Sequence, residues 1–173
     1  MILYDYTISN YKKNLTNMKA ILAKAETWAK EKGMTEEALL QSRLAPDQFP
    51  FVKQIQVMTD SAKSSGALLA NVEVPSYPDT EVTVAELQER LSKTIAFLET
   101  IKPELIDEST LDTRTMSLRW MPGKGLTVYN HSAVYALPNF FFHYVTAYSI
   151  LRNLGLDIGK ADYMGGLPLI DVA

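Results

Sequence analysis

Apolar residues near the N-terminus recur with helical spacing. Tyr4, Ile8, Tyr11, Leu15, Met18, Leu22, Ala25 and Ala29 are separated alternately by four and three positions, which sets all of them on one stripe of a helix. Lys12, Lys13, Asn17, Lys19, Lys24 and Lys30 fall mostly on the other faces, and Gly33 follows as a stop. Thr35 is placed to cap a short turn over Glu36, Glu37 and Ala38, which leads into Leu39, Leu40 and Leu44 and ends at Ala45-Pro46. Asp47 is then expected to cap a second long helix. Its face is Phe51, Val52, Ile55, Met58, Ala62 and Leu69, it reaches about Ala70, and Ser64, Ser65 and Gly66 leave its last third small enough for a close neighbour. Residues 71–82, with Pro75, Pro78 and Asp79, read as a loop. Thr83 and Glu86 form a capping box for a third helix through Val84, Leu87, Leu91, Ile95 and Leu98, which ends before Pro103.

The period then changes. Met116, Leu118 and Trp120 alternate with Ser117 and Arg119, residues 122–125 make a turn, and Leu126 and Val128 alternate again. This spacing predicts a small hairpin over 115–128. A fourth long helix is expected from Asn130 or His131 to Asn153, with Gly155 as its stop and Pro138 either kinking it or delaying its start. The tail from Asp157 to Ala173 reads as an irregular strap across the bundle. The fold class that results is mainly α: a four-helix bundle with a β-hairpin before the last helix, formed by residues 1–173 as one domain.

Composition narrows the function classes. The chain has 173 residues, 47% hydrophobic and 21% charged, with a formal net charge of -3. No strong basic field exists to hold nucleic acid. With no cysteine, disulfides, thiolate metal ligands and a cysteine nucleophile are excluded together. Residues 1–6 lack the pattern of a signal peptide, and no stretch approaches the roughly 18 consecutive apolar residues of a membrane span. The expected location is therefore the cytoplasm, away from the membrane.

Three stretches carry a resemblance. They are Arg43 to Pro50 with Gln54 following; Leu137 to His143 with Thr146-Ala-Tyr148 and Ile150-Leu-Arg152; and Gly159-Lys160 with Asp162-Tyr163. In order and spacing they resemble an uncharacterised family of bacterial and fungal proteins within the DinB/YfiT-like superfamily of four-helix proteins. The resemblance implies an up-and-down bundle with a long connection, commonly a homodimer. The wider superfamily includes thiol-dependent transferases and isomerases that hold a divalent metal with three histidines, one on the second helix and two on the fourth. The family itself implies no named reaction, and a fold does not fix a function.

The chain has two histidines, His131 and His143. Twelve residues apart, they would lie about 18 Å from each other along one helix and cannot share a metal there. Asn139 and His143, at i and i+4, face the same way among Phe140, Phe141 and Phe142. If the superfamily's ligand positions fall here, Asn139 and His143 take the two places on the fourth helix and Gln54 the one on the second. Amide oxygens bind first-row divalent ions weakly. The set therefore predicts a polar, ligand-binding pocket between helices 2 and 4, with His143 at its centre and Asn139 and Gln54 orienting a small-molecule ligand. Divalent metal is not expected, with His143 the weak exception, and Asp47 or Asp60 are the carboxylates that could assist. The competing readings are a structural or self-associating bundle, in which His143 is a core residue satisfied locally and Asn139 repairs the backbone at Pro138, and a metal-dependent transferase with atypical ligands. His131 is expected at the surface, near a helix start. Residues 122–125 lack the spacing of a phosphate loop, Tyr129, Tyr135, Tyr144 and Tyr148 read as packing residues, and so do Trp28 and Trp120. Asp162-Tyr163 reads as a lid over the pocket or as an anchor for the tail.

Overall fold

The structure is a computed structural model that describes residues 2–118 and 121–172. The chain is helical from its start: a turn at Ile2–Tyr4, a π-helical stretch at Asp5–Ser9, and then α1, Asn10–Glu31. Ile8, Tyr11, Leu15, Met18, Leu22, Ala25 and Ala29 are all buried, as their spacing requires. The helix ends where Gly33 turns to φ +66° and the Met34 N–H returns to the Ala29 carbonyl at 2.9 Å, a glycine stop that costs no Cβ strain.

Thr35 caps the short helix Glu36–Leu40 through the Ala38 N–H at 3.1 Å. The second long helix, α2, spans Phe51–Ala70. Asp47 does not cap it: the cap position is Pro50, in extended geometry and with no side-chain bond, and Asp47 is exposed in the turn before it. Proline fixes the first dihedral and needs no donor at a helix start, so no side-chain cap is required to set the entry angle. The small residues act as expected. A Cβ on Gly66 would lie 2.8 Å from Leu98 and 2.9 Å from Ile101, so the chain at the end of α3, Val84–Thr100, approaches α2 closely there. The Thr83–Glu86 capping box opens α3 in both directions, at 2.9 and 3.2 Å.

The hairpin pairs β1, Thr115–Ser117, with β2, Gly125–Thr127, antiparallel, with Met116 opposite Leu126. The expected strand positions of Arg119 and Trp120 lie outside the described residues. The hairpin is fastened to the bundle by Arg114, whose guanidinium donates to the Leu68 and Leu69 carbonyls at 2.9 and 3.2 Å. Both belong to the last turn of α2, where the Leu68 carbonyl also accepts the Asn71 N–H at 3.3 Å. Arg114→Met is therefore expected to cost about 2 kcal/mol, the scale of charge-assisted hydrogen bonds, measured by urea denaturation. A change within error would show that the hairpin is held by something else.

The fourth helix begins earlier than its sequence suggests. Thr127 caps a turn at Val128–Asn130, a π-helical stretch covers His131–Ala136, and α4 runs Leu137–Leu154, ended by Gly155 at φ +99°. Pro138 does delay the α-helical geometry, but the chain before it stays helical in π form. Proline has no N–H and its ring excludes the carbonyl four residues back. The π turn, in which the Leu137 N–H reaches the Ser132 carbonyl, accommodates this with a wider loop.

In the bundle, α2 packs against both α3 and α4, while α1 packs against α3. The tail is more regular than a strap: Lys160–Met164 forms a helix that lies on α1. Lys24 pairs with Asp162 at 2.5 Å, Asn17 donates to the Tyr163 carbonyl at 3.1 Å, and the Tyr163 ring sits 4.6 Å from that of Tyr144. Asp162-Tyr163 is thus an anchor. No helix among the described residues is long and apolar enough to cross a membrane.

Candidate functional site

The three residues singled out from sequence lie along one seam, but they do not converge. Gln54 and His143, 1% and 6% exposed, meet with Gln54 Oε1 2.6 Å from His143 Nδ1. Gln54 Nε2 donates to the Phe49 carbonyl at 2.8 Å. That bond fixes the amide's orientation and leaves Oε1 as acceptor, so Nδ1 of His143 carries the proton. Asn139 turns elsewhere: its Nδ2 donates to Ser61 Oγ at 2.8 Å, and Ser61 donates in turn to the Val57 carbonyl at 2.9 Å. A third contact, Ser65 to Ser132 at 3.3 Å, continues the line. Positions 54, 61 and 65 on α2 thus face 143, 139 and 132 on the fourth helix, as antiparallel neighbours at helical spacing. Each rung ties one register of an otherwise apolar seam.

Burial lowers the pKa of His143 from 6.5 to about 4, because the charged ring would lose water without gaining an opposite charge. The unfolded chain takes up this proton near 6.5 and the folded one resists it. Stability is therefore complete above that pH and falls as the pH drops through the interval to about 4. The loss is on the order of 2 kcal/mol after allowance for solvent screening. Urea titrations in steps of pH should show this slope, and His143→Gln should flatten part of it above about pH 5, below which carboxylates dominate. An unchanged slope in the variant would contradict the assignment.

The cavity between α2 and the fourth helix lies beside the Ser61–Asn139 rung. It is an open cleft of about 550 Å³, flanked by loop 71–82 and β1. Its polar wall includes Asp60, Ser61, Lys63, Tyr77, His131 and Asn139; Gln54 and His143 are not among its lining residues. His131 is the correction here. It is 3% exposed, not a surface residue, and its Nδ1 is buried without a hydrogen-bond partner among the described residues. The expectation failed because the helix begins at Val128 and passes His131 through a π turn, in which side-chain directions do not follow the 3.6-residue period. Its ring lies 5.6 Å from that of Tyr135, and burial lowers its pKa from 6.5.

One large polar feature was missed altogether. Arg90, 2% exposed on α3, donates to Thr59 Oγ1 at 2.7 Å, Glu81 at 2.9 Å, Asp60 at 2.9 Å and the Pro78 carbonyl at 3.2 Å, and pairs with Asp79 at 3.0 Å. Lys63 adds a 2.7 Å bond to Asp60 and lies 4.2 Å from the Tyr77 ring centre, and Lys53 binds Asp79. Burial opposes the charge on Asp79, but Lys53 and Arg90 outweigh it and hold the carboxyl below its usual range. The network fixes loop 71–82 as a wall of the cleft. The signal was present: Arg90 stands three residues after Leu87 and four before Thr94, inside the apolar stripe of α3.

The donors do not fit the superfamily's metal. His143 Nδ1 is engaged with Gln54, Asn139 with Ser61, and among the described residues no group of three or more His, Cys, Asp or Glu converges to hold an ion. Three protein ligands are the usual minimum for a catalytic zinc.

The family described as Domain of unknown function (DUF1993) matches residues 3–164. A crystal structure of a DinB family member protein from Shewanella denitrificans is similar over 99% of this chain and 96% of that one, at 38% identity and a TM-score of 0.91. No curated protein matches the chain. The architecture is thus the DinB-like helical bundle that the sequence resemblance implied, with the hairpin set before the last long helix. The chain belongs to the DUF1993 domain family, an uncharacterised DinB-like family.

Proposed function

We propose that the chain is a small-molecule-binding bundle whose site is the cleft between α2 and the fourth helix. The observation that carries this is His131: a buried imidazole with a nitrogen that has no hydrogen-bond partner among the described residues, in the wall of a cleft of about 550 Å³. Buried polar atoms are nearly always partnered, and ligand pockets commonly measure about 300–1,000 Å³ with a few convergent polar groups in an apolar lining. In this reading His131 takes the central place given to His143 on sequence grounds, and any proton transfer at the cleft falls to it. Asn139 contacts the ligand, while Gln54 and His143 hold the seam behind it.

The closed Gln54–His143 pair favours a second role for that part of the seam, which is fold specificity: it fixes which turn of α4 meets which turn of α2. The proposal also keeps the chain in the cytoplasm, without a nucleic-acid partner given its net charge of -3, and as a homodimer. Phe142 and Val145, 56% and 44% exposed on α4, support self-association.

The test is a ligand-observed NMR screen of a mixed fragment set. Hits on the wild-type protein should vanish for His131→Leu and persist for His143→Phe, with folding of each variant checked by circular dichroism. Hits that survive His131→Leu, or no hits at all, would count against the cleft.

A further inference from the structure

We infer that the ligand of this cleft presents N–H donors, carried by an amidinium, guanidinium or amide group on a compact apolar body; this rests on the cleft being the binding site proposed above. It follows from which polar atoms of the wall are already used.

Among the described residues, the cationic side chains of the wall are already paired. Lys63 is the basic residue among those lining the cleft. Its side chain is 6% exposed, it is bonded to Asp60, and the Tyr77 ring covers it. Arg90 behind it is committed to three carboxylates. The Ser61 proton goes to the Val57 carbonyl, so Ser61 receives the Asn139 Nδ2 donor. The Tyr77 hydroxyl donates to the Lys93 carbonyl at 3.3 Å.

Acceptors remain. The Asn139 orientation leaves its Oδ1 unused by that bond. Both cations that hold Asp60 bind its Oδ1, at 2.7 and 2.9 Å, and no hydrogen bond among the described residues reaches its Oδ2, although the side chain is 40% exposed. Tyr77 keeps a lone pair. Ser64, Ser76 and Ser117 hydroxyls rotate to serve either role and do not decide the matter. His131 Nδ1 is buried, without a hydrogen-bond partner among the described residues, and does not decide the matter. An anionic ligand would meet the Asp60 carboxylate with no uncommitted cation among the described residues of the wall to balance it, whereas an N–H donor finds a charge-assisted acceptor. Val57, Leu68, Pro75 and Met116 supply the apolar lining.

The probes are benzamidine, benzamide and benzoate, three groups of one shape on the same ring, titrated into the full chain by calorimetry. Benzamidine is expected to bind about tenfold tighter than benzoate, with benzamide between them. Asp60→Asn should weaken benzamidine about tenfold and leave benzoate unchanged or improved. Benzoate binding as tightly as benzamidine, an unaltered benzamidine affinity in Asp60→Asn, or no binding of any probe would overturn the inference. The wild-type ranking stands as a test by itself should the variant not fold. Fragment hits that depend on His131 without any preference for N–H donors would sink this inference and spare the binding site; the absence of such hits would sink both.

Discussion

Arg90→Met is expected to lower the unfolding free energy by about 3–5 kcal/mol, the usual result of removing one partner from a buried ionic group. Arg90 is 2% exposed and joins α3 to Asp60 on α2 and to Asp79 and Glu81 at the end of the loop. Methionine fills a similar volume, so the loss reports the stranded carboxylates and not a cavity. Lys63 and Lys53 remain to pair Asp60 and Asp79, which places the effect toward the lower end. Among the described residues, Glu81 keeps the Gln56 amide at 2.8 Å. The loop should also become a site of protease cleavage, because little apolar burial replaces the lost bonds. Molar salt should leave the wild-type value nearly unchanged, since a guanidinium this buried is poorly screened. Urea denaturation of both proteins with and without salt checks this, and a loss under about 1 kcal/mol would show the network to be nearly neutral, as exposed ion pairs are.

Phe140→Ala is expected to cost about 3–5 kcal/mol. Phe140 is fully buried where α1 meets α4: its ring lies 4.9 Å from Tyr11, 5.3 Å from Phe141 in edge contact and 6.1 Å from Tyr144. Removing it opens a cavity between long helices, and the polar rungs at Ser61–Asn139 and Gln54–His143 hold α4 to α2 against a shift into it. Phe140→Leu, which keeps most of the volume, should cost less than half as much. The denaturation midpoint should shift in that order while the slope stays constant. Equal losses for Ala and Leu would point to the ring contacts alone, not to packing volume.

These two residues differ in how legible they were. Phe140 sits in a run of three phenylalanines, and burial there follows from hydrophobicity and period. So do the seams of α1, α2 and α3, the Thr83–Glu86 box and the stops at Gly33 and Gly155, because each depends on residues close in sequence. The π-helical stretches did not show: Pro138 marked a break in the fourth helix, but the residues before it carry no signal that separates a π turn from a delayed start. That one local change carried His131 from the expected surface into the cleft. The Gln54–His143 contact was legible from the resemblance, which set Gln54 on the second helix opposite His143 on the fourth. The turn of Asn139 toward Ser61 was not, because it depends on which rung of α2 lies opposite. The Arg90 network joins residues spread over positions 53–90. Only the misplaced charge in the α3 stripe announced it.

The central claim, that His131 and not His143 faces the ligand, has a direct measurement. The chain holds two histidines, so a long-range proton–nitrogen NMR spectrum of the imidazoles contains two ring systems, assigned with His131→Leu and His143→Phe. Saturating the protein with a fragment hit should move the His131 ring nitrogens and leave the His143 ring in place with its Nδ1 proton on Gln54. Movement of His143 with His131 unchanged, or of neither ring, would contradict the account.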